Sequence, residues 1–142
     1  MIKAGVEVLA LDREGFAYFV KEFRYALGRE NIEAVGGGMD EGEEPLEAAR
    51  RELREELGIE AEEWAELGRV YHSTSIVDSP STLFLAQDLS FVEKDEDSGE
   101  VLETVKLPFD EAVERALSGE FIHSTTCVLI LRAQHHLRKN SN

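Results

Sequence analysis

The sequence contains a single cysteine, three prolines and one tryptophan in 142 residues, and its 15 basic residues are outnumbered by 30 acidic ones. The lone cysteine, Cys127, cannot form an intramolecular disulfide, and its apolar surroundings, TTCVLILRA, indicate a small hydrophobic residue rather than a nucleophile. No apolar run approaches the roughly 18 residues of a membrane span, and no basic-apolar leader precedes the first strand-like segment. We therefore expect a cytoplasmic protein with no membrane partner.

The scarcity of basic residues leaves a formal charge of −15 and a pI near 4.6. Such a field repels nucleic-acid backbones and acidic membranes, so we expect no nucleic-acid partner. A polyanionic ligand can bind only where metal ions or local arginines reverse the sign. The length is that of one domain with a core of its own.

The first half of the chain predicts strands followed by one well-bounded helix. IKAGVEVLAL and FAYFVKEF, separated by the turn DREG, indicate a β-hairpin. IEAV is a short strand that leads into Gly36–Gly38, where the backbone can approach a ligand closely. Pro45 at the first turn and Gly58 at the C-terminal cap bracket a helix of about three turns.

The second half predicts strands over WAELGRVYHS, STLFLAQDL and VLETVKL, then helices over PFDEAVERALSG and HSTTCVLILRAQHHLRK, the last with Ser124 as its cap. Runs of strands with helices inserted late favour an α+β fold, a mixed β-sheet sandwiched by helices. We expect one domain over 1–137 and a flexible tail over 138–142.

The helix after the glycines is unusually acidic, because eleven acids and only three arginines lie between Asp40 and Glu63. At about 100° per residue, Glu52, Glu55 and Glu56 share one arc, and the apolar residues of the helix share the neighbouring one. Like charges this close repel one another, and a divalent cation would reverse that effect. The apolar residues are Leu46, Ala49, Leu53 and Leu57.

Carboxylates are the ligands that magnesium prefers, and magnesium commonly shares its remaining positions with substrate phosphates. Arg51 is placed to pair with Glu55 or to bridge towards Glu43, which would fix carboxylate orientation. A solvated charged face is the usual alternative for a helix rich in glutamate and arginine. The helix therefore indicates either a metal-diphosphate site or a solvated surface.

The spacing of residues from Gly37 to Ile59 helps to decide between a metal-diphosphate site and a solvated surface. Gly37, five residues, Glu43, seven residues and then RELREELGI resemble the Nudix box at every specified position. The resemblance extends over nearly the whole chain, although only the box is specific. It implies an α/β/α sandwich around a mixed sheet, and hydrolysis of a nucleoside diphosphate linked to another group.

The resemblance also implies a ligand set for Mg²⁺, with Mn²⁺ as the alternative. Glu52 and Glu56 correspond to metal ligands, Glu55 assists them, and the carbonyl of Gly36 is a further ligand. The catalytic base in such proteins is either a box glutamate or one from a late loop. In EKDEDSGEVLE we favour Glu100 on the metal side, although each acid there is almost equally well explained as a solvated loop residue.

The segment before the box resembles the branch of ADP-ribose and nucleotide-sugar pyrophosphatases. In FRYALGRENIEAVGGG, Arg24 would meet a phosphate and Glu33 a ribose hydroxyl or base, with Gly37 and Gly38 close to substrate, unless Arg24 and Glu33 are surface ion pairs. We expect magnesium-dependent cleavage of ADP-ribose or a similar nucleotide sugar. The alternatives are a nucleoside triphosphate pyrophosphohydrolase and a non-catalytic ligand-sensing module. A homodimer is compatible with each.

The remaining ring-bearing residues favour structural roles. No histidine has zinc-like spacing with other ligands, so all four are expected at the surface or at strand ends. Three aromatic residues are expected to pack in the core rather than to stack on a base. The two groups are His72, His123, His135 and His136, and Trp64, Tyr71 and Phe84.

Overall fold

The computed structural model describes residues 4–94 and 102–141, and within them the chain forms seven strands and three helices. All but one of the helices follow the last strand, as the sequence predicts. In chain order the elements are β1 Gly5–Leu11, β2 Phe16–Arg24, β3 Arg29–Glu33, β4 Val35–Gly38, α1 Pro45–Leu57, β5 Ile59–Tyr71, β6 Pro80–Phe91, β7 Glu103–Pro108, α2 Phe109–Ser118 and α3 Ser124–Asn140.

The strands form one mixed sheet with β1 at its centre. β1 pairs in parallel with β6 and antiparallel with β2 at one end and β4 at the other. β2 also pairs with β3 and β7, and β5 pairs with β6, all antiparallel. Because β1 lies between the glycine-rich β4 and β6, residues of all three strands meet at one end of the sheet.

Helices cover both faces of the sheet, and the alternation of β1 explains why. Val6 and Val8 are buried in a cluster with Leu53 of α1, whereas Leu9 packs in a second cluster with Leu129 of α3. Successive side chains of a strand point to opposite faces, so a strand that is apolar at both sets of positions needs cover on both. The predicted α/β/α sandwich is confirmed.

Helix α1 has the predicted boundaries. Pro45 is its first residue, and a capping box links Glu44 and Glu47 before the chain turns into the helix. Gly58 ends it in the left-handed conformation, with φ of 65°, and its N–H donates to the carbonyl of Arg54. The ends of α1 are thus set by local sequence.

Three predicted boundaries differ from the structure. IEAV does not form one strand, because Glu33 ends β3, which pairs with β2, and Val35 begins β4, which pairs with β1. β5 starts at Ile59, well before the predicted segment, and bends at a bulge. α3 begins with Ser124 itself, so His123 is its N-cap residue, and the helix extends to Asn140, into the expected tail.

Two of the three aromatic residues expected in the core pack there. Phe84 is buried, and Trp64 contacts it edge to face with 6.0 Å between ring centroids. Tyr71, at the end of β5, is 52% exposed, so that prediction was wrong. Cys127 is half-buried, as its apolar surroundings indicate. In the described part of the chain no helix is both long and apolar enough to cross a membrane.

Candidate active site

The glycines of β4 allow α1 to bring its glutamates against the sheet. A Cβ on Gly37 would lie 2.6 Å from Cδ of Glu52, and one on Gly36 would lie 2.7 Å from both the Val6 carbonyl oxygen and Cγ of Glu7. Only glycine leaves this space. The carboxylate of Glu52 consequently lies directly on the strand, where it is 8% exposed.

Arg51 holds the acidic side chains of the box in place. Its Nε and Nη2 donate to the two carboxylate oxygens of Glu43 at 2.9 and 3.0 Å. Nη1 donates to Glu52 at 3.0 Å and to Glu55 at 3.4 Å, and Nη2 also donates to the carbonyl of Gly38 at 3.1 Å. Both alternatives expected for Arg51, pairing with Glu55 and bridging to Glu43, therefore occur together.

This network fixes the charges of its members. Hydrogen bonds from Arg51, and then from the backbone N–H of Asp40, lower the pKa of Glu43 to about 2. The bonds to Glu43 in turn raise the pKa of Arg51 above its ordinary value. Glu43 and Arg51 are thus a permanent ion pair at neutral pH.

Glu52 has the opposite environment. Burial raises its pKa, although Arg51 and a hydrogen bond with Glu56 act to lower it. A buried carboxylate needs a compensating positive charge to stay ionised. Arg51 supplies part of that charge, and a cation beside Glu52 and Glu56 would supply the rest.

Beside these glutamates lies a cleft of about 280 Å³, bordered by β4, Glu56 and the predicted substrate residues. Nε and Nη2 of Arg24 donate to both carboxylate oxygens of Glu33 at 3.0 and 2.7 Å. Although burial acts to raise it, the hydrogen bonds from Arg24 and Asn31 lower the pKa of Glu33. Arg24 and Glu33 are thus an ion pair, and that pair lines the cleft.

The cleft contains residues that the sequence did not point to. Glu7 is 8% exposed, and its Oε2 has no hydrogen-bond partner within the described residues. Burial, and then the charge of Glu33, raise the pKa of Glu7 to about 9, against the influence of Arg24. His123 lies 3.7 Å from Glu7, measured from Nδ1 to Oε1, and burial lowers the pKa of its imidazole.

Two of the histidines belong to this cleft. His72 follows the end of β5, in agreement with the expected strand-end position, and His123 is the N-cap residue of α3. Both line the cleft, which the sequence did not predict. Their sequence positions carry no local signal, because the topology alone brings the end of β5 and the start of α3 together. Glu7 did carry one, since GVEVLAL places a single charge within an otherwise apolar strand.

The structure brings most of the predicted site together. A first group of residues, from α1 and β4, lies together, since Glu52 and Arg51 contact the glycines, Arg51 bonds Glu55, and Glu56 lines the cleft. Arg24 and Glu33 line the same cleft. Glu100 lies outside the described residues. The first group comprises Arg51, Glu52, Glu55, Glu56, Gly36, Gly37 and Gly38.

The donor set fits a hard divalent cation, because paired carboxylates stand beside the backbone of β4, which glycine leaves open. Burial disfavours the ionised form of Glu52 and raises its pKa, and a nearby cation would stabilise that ionised form. Over residues 4–94 and 102–141 no three His, Cys, Asp or Glu side chains already converge as a metal site. In this arrangement Arg51 bonds Glu52 and Glu55 as well as Glu43.

The sequence matches the NUDIX domain family over residues 1–125, and the chain belongs to that family. Its relatives include ADP-ribose pyrophosphatases. That of Bacillus subtilis (strain 168) is 34% identical over 127 residues, which cover 88% of this chain and 69% of the relative. That of Mycobacterium tuberculosis is 32% identical over 129 residues, which cover 89% of this chain and 62% of the relative.

A crystal structure of an ADP compounds hydrolase has the same fold. It superposes with a TM-score of 0.88 and covers 98% of this chain and 75% of that one, at 22% sequence identity. The relatives support a hydrolase resembling the ADP-ribose pyrophosphatases. Nudix hydrolases generally use divalent metal ions, which agrees with the donor set on α1.

Proposed function

We propose that the protein is a magnesium-dependent hydrolase that cleaves the diphosphate of ADP-ribose or a related nucleoside diphosphate sugar. The observation that carries this proposal is the placement of the Arg51-held glutamates against the glycines of β4, at the edge of a polar cleft. The products would be a nucleoside monophosphate and a sugar phosphate.

The residues that would hold the ion are Glu52, Glu56 and the carbonyl of Gly36, with Glu55 assisting and Glu100 as a further ligand. Mn²⁺ is the alternative to Mg²⁺. The ion would neutralise charge on the diphosphate and lower the pKa of a water molecule. In a chain of charge −15 this neutralisation is a condition for binding a polyanion at all.

The chain itself supplies orientation and a proton acceptor. Arg51 fixes Glu52 and Glu55 through bonds from one guanidinium. Arg24 is paired with Glu33 and Glu22, and its side chain is 45% exposed. It lines the cleft, where it would meet a phosphate. Gly37 and Gly38 let the backbone approach the substrate.

The reaction adds a water oxygen to one phosphorus and breaks the anhydride bond on the other side of it. The bridging oxygen leaves with the second phosphoryl group, and a carboxylate accepts the proton of the water. Glu55, Glu56 and Glu100 are the groups proposed for that role.

Product analysis of the purified protein tests the proposal. With magnesium, ADP-ribose should give AMP and ribose phosphate, and excess chelator should stop turnover. Glu56→Gln should abolish the metal-dependent reaction without changing thermal unfolding, because an amide cannot replace the carboxylate. Glu62→Gln, on an exposed position of β5, is the matched control.

Other outcomes lead to other functions. Release of pyrophosphate from nucleoside triphosphates alone would keep the chemistry and replace the substrate class. No turnover of any diphosphate, with tight metal-free binding of a nucleotide, would indicate a ligand-sensing module. Near-normal activity of Glu56→Gln would remove the assignment of the box glutamates.

A further inference from the structure

A second part of the cleft wall is formed by polar side chains other than the box glutamates, and of these the proposed chemistry uses only Glu33, which holds Arg24. The side chains of this part are Glu7 of β1, Glu33 of β3, Ser81 of β6, His72 just after β5 and His123 just before α3. We refer to these five residues as the polar wall. They come from distant parts of the chain and meet because β1 lies between β4 and β6.

Much of the polar wall is held by bonds within the protein. Nε2 of His72 lies 2.8 Å from Oγ of Ser81, and its Nδ1 lies 3.3 Å from Oγ1 of Thr125. Glu33 is held at both oxygens by Arg24. Groups fixed by their own neighbours offer a ligand a preorganised set of donors and acceptors.

Glu7 is the exception. Its Oε2 is buried without a hydrogen-bond partner among the described residues. Nδ1 of His123 stands 3.7 Å from Oε1 of Glu7 and has a shorter contact, 2.7 Å, with Oγ1 of Thr126. A buried polar atom left unpaired costs free energy, and a ligand that supplies the missing bond recovers it.

The lining of the cleft indicates what kind of group would do so. No Phe, Tyr or Trp belongs to the described residues that line it, so it has no such ring on which a purine could stack. Acceptors and donors that project from several elements suit hydroxyls pointing in different directions better than the flat edge of a base.

We propose that the polar wall binds the non-nucleoside sugar of the substrate, and that Glu7 is a specificity-determining residue that hydrogen-bonds a sugar hydroxyl through its carboxyl group. This inference rests on the proposed function, because it places the diphosphate at the box glutamates. A cleft of about 280 Å³ is large enough for one sugar ring.

The test compares a substrate that has a sugar with one that lacks it. Glu7→Ala should lower the ratio of kcat/KM for ADP-ribose to kcat/KM for the methyl ester of ADP about tenfold, which corresponds to 1.4 kcal/mol. Glu7→Gln keeps an oxygen of similar position and should lose less. Glu63→Ala, an exposed residue of β5 outside the cleft, is the control and should keep the wild-type ratio.

Two results would overturn the inference. An equal loss on both substrates would mean that Glu7 supports the fold or the reacting groups rather than the sugar. A change in the preference between GDP-mannose and ADP-mannose, which share a sugar, would mean that Glu7 reads the base. Thermal unfolding of each variant shows whether a loss of activity is caused by misfolding. If Glu7→Ala is misfolded, the kcat/KM ratio of Glu7→Gln is compared with that of the wild type instead.

A binding measurement separates this inference from the proposed function. If the wild type hydrolyses no nucleoside diphosphate sugar, the proposed function fails. The Kd of ribose 5-phosphate, measured by calorimetry on the wild type and on Glu7→Ala, then decides the inference alone. A Kd about tenfold weaker for the variant supports it, and equal values overturn it.

Discussion

At the scale of single residues, Arg51 organises the site, since one guanidinium bonds Glu43, Glu52, Glu55 and a backbone carbonyl. A lysine keeps the charge but not the planar fork. Arg51→Lys should lower kcat about 10- to 100-fold, as expected for a residue that orients ligands. Steady-state kinetics check this, and Arg54→Lys, whose side chain is 62% exposed, should stay near wild type.

The ion pair of Glu43 also predicts a pH dependence of stability. The pKa of Glu43 falls from 4.5 to about 2 on folding, so the folded state binds the proton less tightly than the unfolded state. Its stabilising effect is complete above pH 4.5 and disappears as the pH falls through about 2. The difference between the unfolding free energies of wild type and Glu43→Gln should therefore shrink as the pH falls from 4.5 towards 2.

Urea unfolding at several pH values measures this convergence. Glu62→Gln changes an exposed glutamate to the same amide and should show a constant difference from wild type. If the difference in unfolding free energy between wild type and Glu43→Gln stays constant down to pH 3, the assignment of Glu43 as the main partner of Arg51 is contradicted.

At the scale of elements, the glycines of β4 leave the space that the carboxylate of Glu52 occupies. Alanine at Gly37 would collide with the flexible end of Glu52, so the carboxylate would move while the backbone stays. Gly37→Ala should lower kcat about 100-fold, the usual effect of a catalytic group displaced by about 1 Å. Thermal unfolding should show that the fold persists, and steady-state kinetics should show the lower kcat.

Two other glycines serve as controls for that variant. Gly42 has φ of 79° and nothing within 4 Å of an added Cβ, so Gly42→Ala should cost about 1–2 kcal/mol of stability and keep activity. At Gly36 the added Cβ would meet the Val6 carbonyl, which is backbone, so Gly36→Ala should mainly destabilise the protein. Full activity of Gly37→Ala would contradict the positioning of Glu52.

The same elements show how much the sequence could predict. Pro45 and Gly58 determine the ends of α1. The order of strands and helices follows from the periodicity of apolar residues, so the sandwich of helices around a sheet could be predicted. The contact between Arg51 and Glu55 follows from helical i,i+4 spacing. His72 and His123 could not be placed in the cleft, because their neighbours there are set by strand pairing, which local sequence does not encode.

At the scale of the whole molecule, the charge of −15 opposes the compact state. Salt should relieve this repulsion, since the Debye length falls from about 30 Å at 0.01 M to about 8 Å at 0.15 M. The Tm should rise over that range at neutral pH. Scanning calorimetry in NaCl and KCl should give equal shifts, and a Tm independent of salt would show that local ion pairs cancel the repulsion.

The parallel pairing of β1 with β6 has a consequence for how the protein is made. Gly5 lies beside Ser81, so β1 cannot complete its pairing until β6, which is synthesised much later, has left the ribosome. Contacts of such sequence separation form slowly, because a long loop must close first. The cleft is complete only when that closure is complete, so recovery of turnover after dilution from denaturant should follow the slowest phase of refolding.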